Sequence, residues 1–182
     1  MKTCFTKLHK VAESTMDNIV SLALADHDWH TYADTYSSFD DTGVRKSPRY
    51  ESTISQGIYD TWNEDMQFIS DLILPKALEP YAEVHALNKI PPDHGIDAHH
   101  DHHRECCVYL PIYPVREKYM PFEYFIDNQY YCIDNYEIGQ VYLCNLKILH
   151  RVCNSTDLPR FNYQITLNKP YEEICNILAL QN

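Results

Sequence analysis

Apolar residues recur at helical spacing in two stretches of the N-terminal half. They stand three or four residues apart over 16–25 and again over about 58–74, where Pro75 ends the pattern. Each stretch therefore predicts an amphipathic helix with one face turned to a core. Residues 30–57 between them are polar and rich in tyrosine, and a loop this long in a compact domain is often functional. We interpret it as a loop that includes a short strand and covers a binding site as a lid.

After Pro80 the pattern changes to short runs that are rich in β-branched and aromatic residues and are separated by turn-forming residues. These runs cover residues 82–90, 106–113, 121–126, 129–133, 138–145, 148–153 and 160–167. Seven such runs predict a β-sandwich or barrel, and residues 171–180 predict one more helix. Helices packed beside a strand-rich core give an α+β fold, mainly β, with a jelly-roll-like sandwich.

Length and composition fit one domain. A chain of 182 residues, 45% of them apolar, can bury most of its unfolded surface in a single core. We predict a single domain over 1–182 with three parts. A helical flank with its lid-like loop occupies 1–80, the strand-rich core 81–168 and the C-terminal helix 169–182.

Charge and cysteine content exclude several classes of protein. A net charge of −11 disfavours nucleic acid as a partner, because such proteins gain affinity by neutralising phosphates with Lys and Arg. The seven cysteines lack the paired spacing of a zinc site and are expected to be reduced thiols. No apolar stretch approaches the roughly 20 residues of a membrane span, and the N-terminus has no signal-like apolar segment. A cytoplasmic protein without a membrane partner is predicted.

The histidines are concentrated in one segment. Five of the ten lie between residues 94 and 103, and His150 stands alone further along the chain. His99 and Asp101 are two residues apart, so on a strand their side chains would share a face. His150, between two apolar stretches, is the natural third ligand from a neighbouring strand. Two histidines and one carboxylate leave three octahedral positions open, as in non-haem iron(II) oxygenases and unlike structural zinc sites.

Three pieces of the sequence carry a family resemblance: the His-x-Asp motif at 99–101 after a Pro-Pro turn, residues 139–150, and Arg160 ten residues beyond His150. In order and spacing they resemble the iron(II)- and 2-oxoglutarate-dependent dioxygenases, whose fold is a double-stranded β-helix of the cupin-like jelly-roll type. The resemblance implies Fe(II) at the three ligands named above, with 2-oxoglutarate and O2 as co-substrates. It also implies that the guanidinium of Arg160 pairs with the far carboxylate of 2-oxoglutarate.

Two shorter pieces resemble particular branches of that family. Residues 106–110 are similar to the strand after the His-x-Asp motif in prolyl-hydroxylase-like members, which implies that Tyr109 helps to bind the same carboxylate. Residues 150–154 with Arg160 are similar to aspartyl/asparaginyl β-hydroxylases. The resemblance implies hydroxylation of an amino-acid or peptidyl side chain, with release of succinate and CO2, on a small-molecule or peptide substrate. Arg104 is either a ligand for a substrate carboxylate at the mouth of the site or a surface charge.

Two other interpretations of the histidine segment are open. His100, His102 and Glu105, together with His150, approximate the metal set of a cupin. This set leaves Arg160 unexplained, since a buried arginine without an anion is costly. The second alternative is a non-catalytic domain that binds a metal at its surface.

The remaining histidines are expected to have no ligand role in the dioxygenase interpretation. His94, His102 and His103 are predicted to line the mouth of the site or to face solvent. His85 is predicted to point outward from its strand, because alternate residues of a strand face opposite sides.

Overall fold

The computed structural model describes residues 4–27, 30–31, 51–54, 64–92, 94–113, 122–132, 137–154 and 156–179. Two antiparallel sheets pack face to face, and helices cover the outer side of the larger sheet. In chain order the elements are β1 (Phe5–Lys10), α1 (Glu13–Leu24), β2 (His30–Thr31), β3 (Glu51–Ile54), α2 (Glu64–Ile73), a 3-10 helix (Lys76–Tyr81), β4 (Ala82–Ile90), β5 (His94–His99), β6 (Cys106–Tyr113), β7 (Phe122–Ile126), β8 (Gln129–Cys132), β9 (Gln140–Asn145), β10 (His150–Asn154), β11 (Arg160–Leu167) and α3 (Tyr171–Ala179).

The larger sheet has seven strands in the order β1-β9-β6-β11-β4-β3-β2, and the smaller has four in the order β5-β10-β7-β8. Each described pairing is antiparallel. From β4 onward the chain passes back and forth between the two sheets, so β9, β10 and β11 lie alternately in the larger, the smaller and the larger sheet. This is the connectivity of a jelly roll, and the predicted α+β sandwich is confirmed.

The central strands of the larger sheet are buried on both faces, and their alternation separates two core layers. On β6, Val108 and Leu110 face the helices, whereas Cys107 and Tyr109 face the smaller sheet. The first layer also contains apolar residues of α1, α2 and α3, and the second contains Phe122 of the smaller sheet. The helices therefore close the outer side of the large sheet and leave the space between the sheets for the site.

Most of the predicted elements are confirmed. The runs 82–90, 106–113 and 160–167 coincide with β4, β6 and β11, and β7, β8, β9 and β10 differ from their predicted runs by one or two residues at an end. Helix α1 begins three residues earlier than predicted, and α3 matches its predicted start. Helix α2 is described from Glu64; the first residues of that predicted helix and most of the predicted lid, 32–50, lie outside the described residues.

The N-terminal 80 residues contribute strands as well as helices. β1 pairs with β9 at one edge of the larger sheet, and β3 pairs with β4 towards the other edge. The sequence predicts one short strand within 30–57, whereas the structure has two there, β2 and β3, which pair with each other; β1 is not predicted. Within the described ranges, no helix has both the length and the apolar character needed to cross a membrane.

Candidate metal centre and pocket

Three predicted ligands meet between the two sheets. The ligand atoms of His99, Asp101 and His150 all lie within 4.8 Å of one another. The two histidines are paired in register on the neighbouring strands β5 and β10, and their ring centroids are 4.4 Å apart. The prediction that Asp101 shares a strand face with His99 is wrong, because β5 ends at His99. Asp101 reaches the cluster from the loop of residues 100–105, which we call the 100–105 loop.

His150 is held in the form that binds a metal. Its Nδ1 lies 2.8 Å from the carbonyl oxygen of Ile148, so Nδ1 carries the proton and donates it, and the lone pair of Nε2 is left for a cation. The ring stacks on Phe122 at a centroid distance of 5.3 Å and an interplanar angle of 6°. Burial, and then the charge of His99, lower the pKa of His150 to about 4. The imidazole is therefore neutral at pH 7, as a ligand must be.

Asp101 offers a buried carboxylate that fits a cation. Only 3% of the residue is exposed. Its Oδ1 lies 3.2 Å from His99 Nε2 and its Oδ2 lies 2.6 Å from Arg104 Nη2, but neither oxygen has a hydrogen-bond donor in good geometry among the described residues. Burial raises the pKa of Asp101, yet the contact with His99 and the charges of Arg104, His150 and His99 outweigh it and lower the pKa to about 2. A bound divalent cation would satisfy this ionised carboxylate.

Arg160 and Tyr109 lie together beneath the pocket. Arg160 Nη2 donates a hydrogen bond of 2.6 Å to the Tyr109 hydroxyl, and both side chains are buried. Tyr109 is the register partner of Gln164, which is four residues beyond Arg160 on β11, so all three side chains project from the same face of the sheet. Burial raises the pKa of Tyr109 although the charge of Arg160 opposes the shift, and the hydroxyl stays protonated at neutral pH.

A pocket of about 440 Å³, part of it open to solvent, lies between the sheets beside these groups. The larger sheet lines it with a layer of amides, in which Asn88 Nδ2 donates a 3.1 Å hydrogen bond to Asn162 Oδ1. The lining residues are Asn88, Ile90, Ile96, Arg104, Tyr109, Phe122, Leu146, His150, Val152, Asn162 and Gln164. No Asp or Glu occurs among these described lining residues, and Arg104 is the one Lys or Arg among them.

Sequence reasoning did not identify the amides of Asn88 and Asn162 as part of the site. Each lies in a segment whose pattern predicts only a strand. The two residues become neighbours because β4 pairs with β11. Arg104 was singled out, and the structure brings it to both the pocket and Asp101. Arg160 is not among the described residues that line the pocket, but it is hydrogen-bonded to Tyr109, which is.

The residues of the alternative cupin set do not form a metal site in the structure. His100 and His102 are exposed, and the carboxylate of Glu105 lies 3.1 Å from Lys147 Nζ. Among the residues that the structure describes, His99, Asp101 and His150 form the one group of three or more His, Cys, Asp or Glu that could hold a metal ion.

Of the histidines without a predicted ligand role, His85 is the one whose predicted position is contradicted. His102 and His103 are exposed, as predicted, and His94 lies on β5. His85 was predicted to point outward, and this prediction is wrong. It is 5% exposed, and its Nδ1 lies 2.8 Å from the hydroxyl of Ser70 on α2.

Solved structures of one class share this architecture. An oxidoreductase of the 2OG-Fe(II) oxygenase family from Burkholderia pseudomallei is 10% identical, with a TM-score of 0.56 over 89% of this chain and 84% of its own. A prolyl hydroxylase from Trichoplax adhaerens, in complex with a hypoxia inducible factor peptide fragment, is 12% identical, with a TM-score of 0.60 over 93% and 86%. This chain has the fold of the 2OG-Fe(II) oxygenases.

The same fold serves different reactions among the solved structures. The non-heme alpha ketoglutarate dependent carbocyclase SnoK from nogalamycin biosynthesis is 9% identical, with a TM-score of 0.61 over 89% of this chain and 78% of its own. No protein-family model matches the chain, and neither does any curated protein. The comparisons therefore show the double-stranded β-helix of the oxygenase fold. The reaction depends on the residues of the site and not on the fold alone.

Proposed function

We propose that this protein is an iron(II)- and 2-oxoglutarate-dependent dioxygenase whose metal ligands are His99, Asp101 and His150. The observation that carries the proposal is the convergence of these side chains within 4.8 Å in the interior of an oxygenase fold. Two imidazoles and one carboxylate leave open positions on an octahedral metal, which suits iron(II) oxygenation better than a structural site. The bound iron would supply the oxidative chemistry, in which dioxygen oxidises a substrate C–H bond while 2-oxoglutarate becomes succinate and CO2.

In this proposal Arg160 and Tyr109 bind the far carboxylate of 2-oxoglutarate. A guanidinium presents paired donors that match a carboxylate, and burial strengthens such charge-assisted hydrogen bonds. The neutral Tyr109 hydroxyl lines the pocket and can donate to the same carboxylate while it accepts from Arg160. The apolar side chains of Phe122 and Val152 line the opposite wall and would keep water from the reacting atoms.

The proposed substrate is an amino-acid side chain, free or in a peptide. The prolyl hydroxylase of similar fold was solved with a peptide fragment, which supports a substrate of this kind. Arg104 lines the pocket and could bind a substrate carboxylate, although its guanidinium also contacts Asp101. The described cysteines are free thiols, which supports the proposal that the protein works in a reducing compartment such as the cytoplasm.

Metal binding and turnover test the proposal together. We expect His99→Ala, Asp101→Ala and His150→Ala each to abolish iron(II) binding and succinate release. His102→Ala is the matched control, because this neighbouring histidine is exposed and should leave both unchanged. Loss of metal in His102→Ala with retention in His99→Ala would support the cupin set instead. Free amino acids and short peptides containing Pro, Asp or Asn should then be screened by mass spectrometry for a gain of one oxygen.

A further inference from the structure

The 100–105 loop carries a ligand of the candidate metal site but contains no helix or strand. A metal ligand has to be held within a fraction of an ångström of its working position, and loops do this less well than strands. His99 and His150 are fixed by the pairing of β5 with β10, whereas Asp101 has no such support. Something else must therefore hold the loop in place.

The turn between β9 and β10 lies directly against the loop. The backbone N–H of Asp101 donates to the carbonyl of Leu146 at 3.1 Å, and the N–H of Leu146 donates to the carbonyl of Glu105 at 3.1 Å. These two bonds tie the loop to the turn near both of its ends. Lys147, the next residue of the turn, is itself fixed by a 3.0 Å hydrogen bond from its N–H to the side chain of Asn145.

The side chain of Lys147 reaches back into the loop. Its Nζ donates to the carbonyl oxygens of Asp101 at 3.2 Å and His102 at 3.0 Å. It also forms an ion pair with Glu105 Oε1 at 3.1 Å. An ammonium group has three N–H donors. The three oxygens of the 100–105 loop named above therefore match its donors in number. The carbonyl oxygen of Lys147 in turn lies 3.0 Å from His100 Nδ1.

We propose that Lys147 is a positioning residue for the metal site, which fixes Asp101 by binding the carbonyl oxygens of Asp101 and of the next residue, while the carbonyl of Leu146 holds the N–H of Asp101. The role rests on the proposed function, because Asp101 is a ligand only in that proposal. Lys147 is not among the described residues that line the pocket; its side chain contacts two backbone carbonyls and the carboxylate of Glu105. It lowers the cost of ordering the loop when the metal binds, since the loop is already held in its binding conformation.

Cobalt(II) affinity of the otherwise metal-free protein, followed by visible absorption, tests this role without any need for turnover. Lys147→Met removes the ammonium and keeps most of the side chain, and we expect cobalt to bind about ten- to a hundred-fold more weakly, as is usual when a group that orients a ligand is lost. Lys147→Arg should recover part of the affinity, because a guanidinium can still donate to the loop carbonyls. Hydrogen exchange of the metal-free protein should be faster over the 100–105 loop in Lys147→Met.

Two control variants separate this role from general effects of charge. Glu105→Gln removes the ion pair but leaves the two carbonyl contacts, and cobalt affinity should stay within about threefold of wild type. Lys169→Met breaks an exposed ion pair with Glu173 away from the site and should change nothing. If Lys147→Met does not fold, Lys147→Gln keeps two N–H donors and should show a several-fold loss.

The outcomes distinguish the two proposals. Wild-type protein that fails to bind cobalt contradicts the proposed function, and the role of Lys147 falls with it. Wild-type and Lys147→Met proteins that bind cobalt equally well, with equal loop exchange, overturn the role of Lys147 alone and leave the proposed function standing.

Discussion

The guanidinium of Arg160 donates a hydrogen bond of 2.6 Å to the hydroxyl of Tyr109, with 1% and 2% of these residues exposed. The two groups come from strands β11 and β6, and Tyr109 lines the pocket. The hydrogen bond therefore orients a buried cation beside a neutral hydroxyl that lines the pocket. Two predictions concern this pair.

Tyr109→Phe should weaken the binding of 2-oxoglutarate. The change removes a donor to the proposed co-substrate and an acceptor for a buried guanidinium, and each loss is worth about 1–3 kcal/mol. We expect binding to be at least about tenfold weaker, measured as the ligand-induced rise in melting temperature of metal-loaded protein. Tyr131→Phe is the matched control, because that hydroxyl is on the exposed face of β8 and should not affect binding. Equal thermal shifts in wild type and Tyr109→Phe would remove Tyr109 from the site.

Arg160→Lys tests whether geometry or charge alone binds the carboxylate. Lysine keeps the positive charge but replaces the planar fork by a point charge, so it cannot reproduce paired hydrogen bonds. We expect most of the affinity for 2-oxoglutarate to be lost in Arg160→Lys, and almost all of it in Arg160→Ala. Calorimetric titration of the cobalt-loaded variants would measure this. Wild-type affinity in the lysine variant would mean that charge suffices.

The sequence predicts the central strands well because strands that are buried on both faces consist of continuous apolar runs. β4, β6 and β11 are inner strands of the larger sheet, and their runs of apolar, β-branched and aromatic residues are long enough to mark both ends. β1 and β5 are edge strands with the sequences FTKLHK and HGIDAH, whose apolar residues are too few to mark a strand; at β5 only the spacing of His99 and Asp101 suggests one. They are strands because β9 and β10 provide partners, and this information is distributed over the whole chain.

Some residues of the candidate site could be predicted from the sequence, and others could not. His99, Asp101 and His150 are chemically distinctive and could be singled out by spacing. Asn88 and Lys147 are common residue types without a local motif, and their places at the pocket and the 100–105 loop depend on tertiary packing.

The prediction for His85 was wrong for a related reason. Simple alternation assumes that one face of a strand meets solvent. Residues 85–88 of β4 are all buried, because α2 covers one face and the pocket lies on the other.

Gly139→Ala should destabilise the protein without a direct effect on the site. Gly139 has φ of +77°, and an added Cβ would lie 2.3 Å from the carbonyl oxygen of Val11. The N–H of Val11 donates to the carbonyl of Gly139 at 2.8 Å, so the junction between β1 and α1 would have to move. We expect a loss of about 2 kcal/mol or more in the free energy of unfolding, measured by urea denaturation.

Ile138→Ala is the control for this variant. The neighbouring isoleucine is 47% exposed, and its truncation should cost no more than about 0.5 kcal/mol. Cobalt affinity should be unchanged in both variants. A Gly139→Ala protein as stable as wild type would show that the junction can relax around the new methyl group.

The buried pair of Ser70 and His85 predicts how stability depends on pH. Burial lowers the pKa of His85 in the folded protein to about 4, against about 6.5 in an unfolded chain. Between these values the unfolded state binds more protons than the folded state, so the free energy of unfolding falls as the pH falls. The contribution is complete above about pH 6.5 and is lost towards pH 4, and for this one group it amounts to about 3 kcal/mol.

His85→Gln removes the titration but keeps an amide that can bond to Ser70. Urea denaturation of metal-free protein at intervals between pH 7.5 and 4.5 should give a clearly shallower loss of stability in this variant than in wild type. A residual slope is expected from His150, whose pKa is also lowered to about 4 by burial and by the charge of His99. His102→Gln, on the exposed part of the 100–105 loop, should keep the wild-type slope. Parallel curves for wild type and His85→Gln would mean that His85 can be protonated without disturbing the packing of α2 on β4.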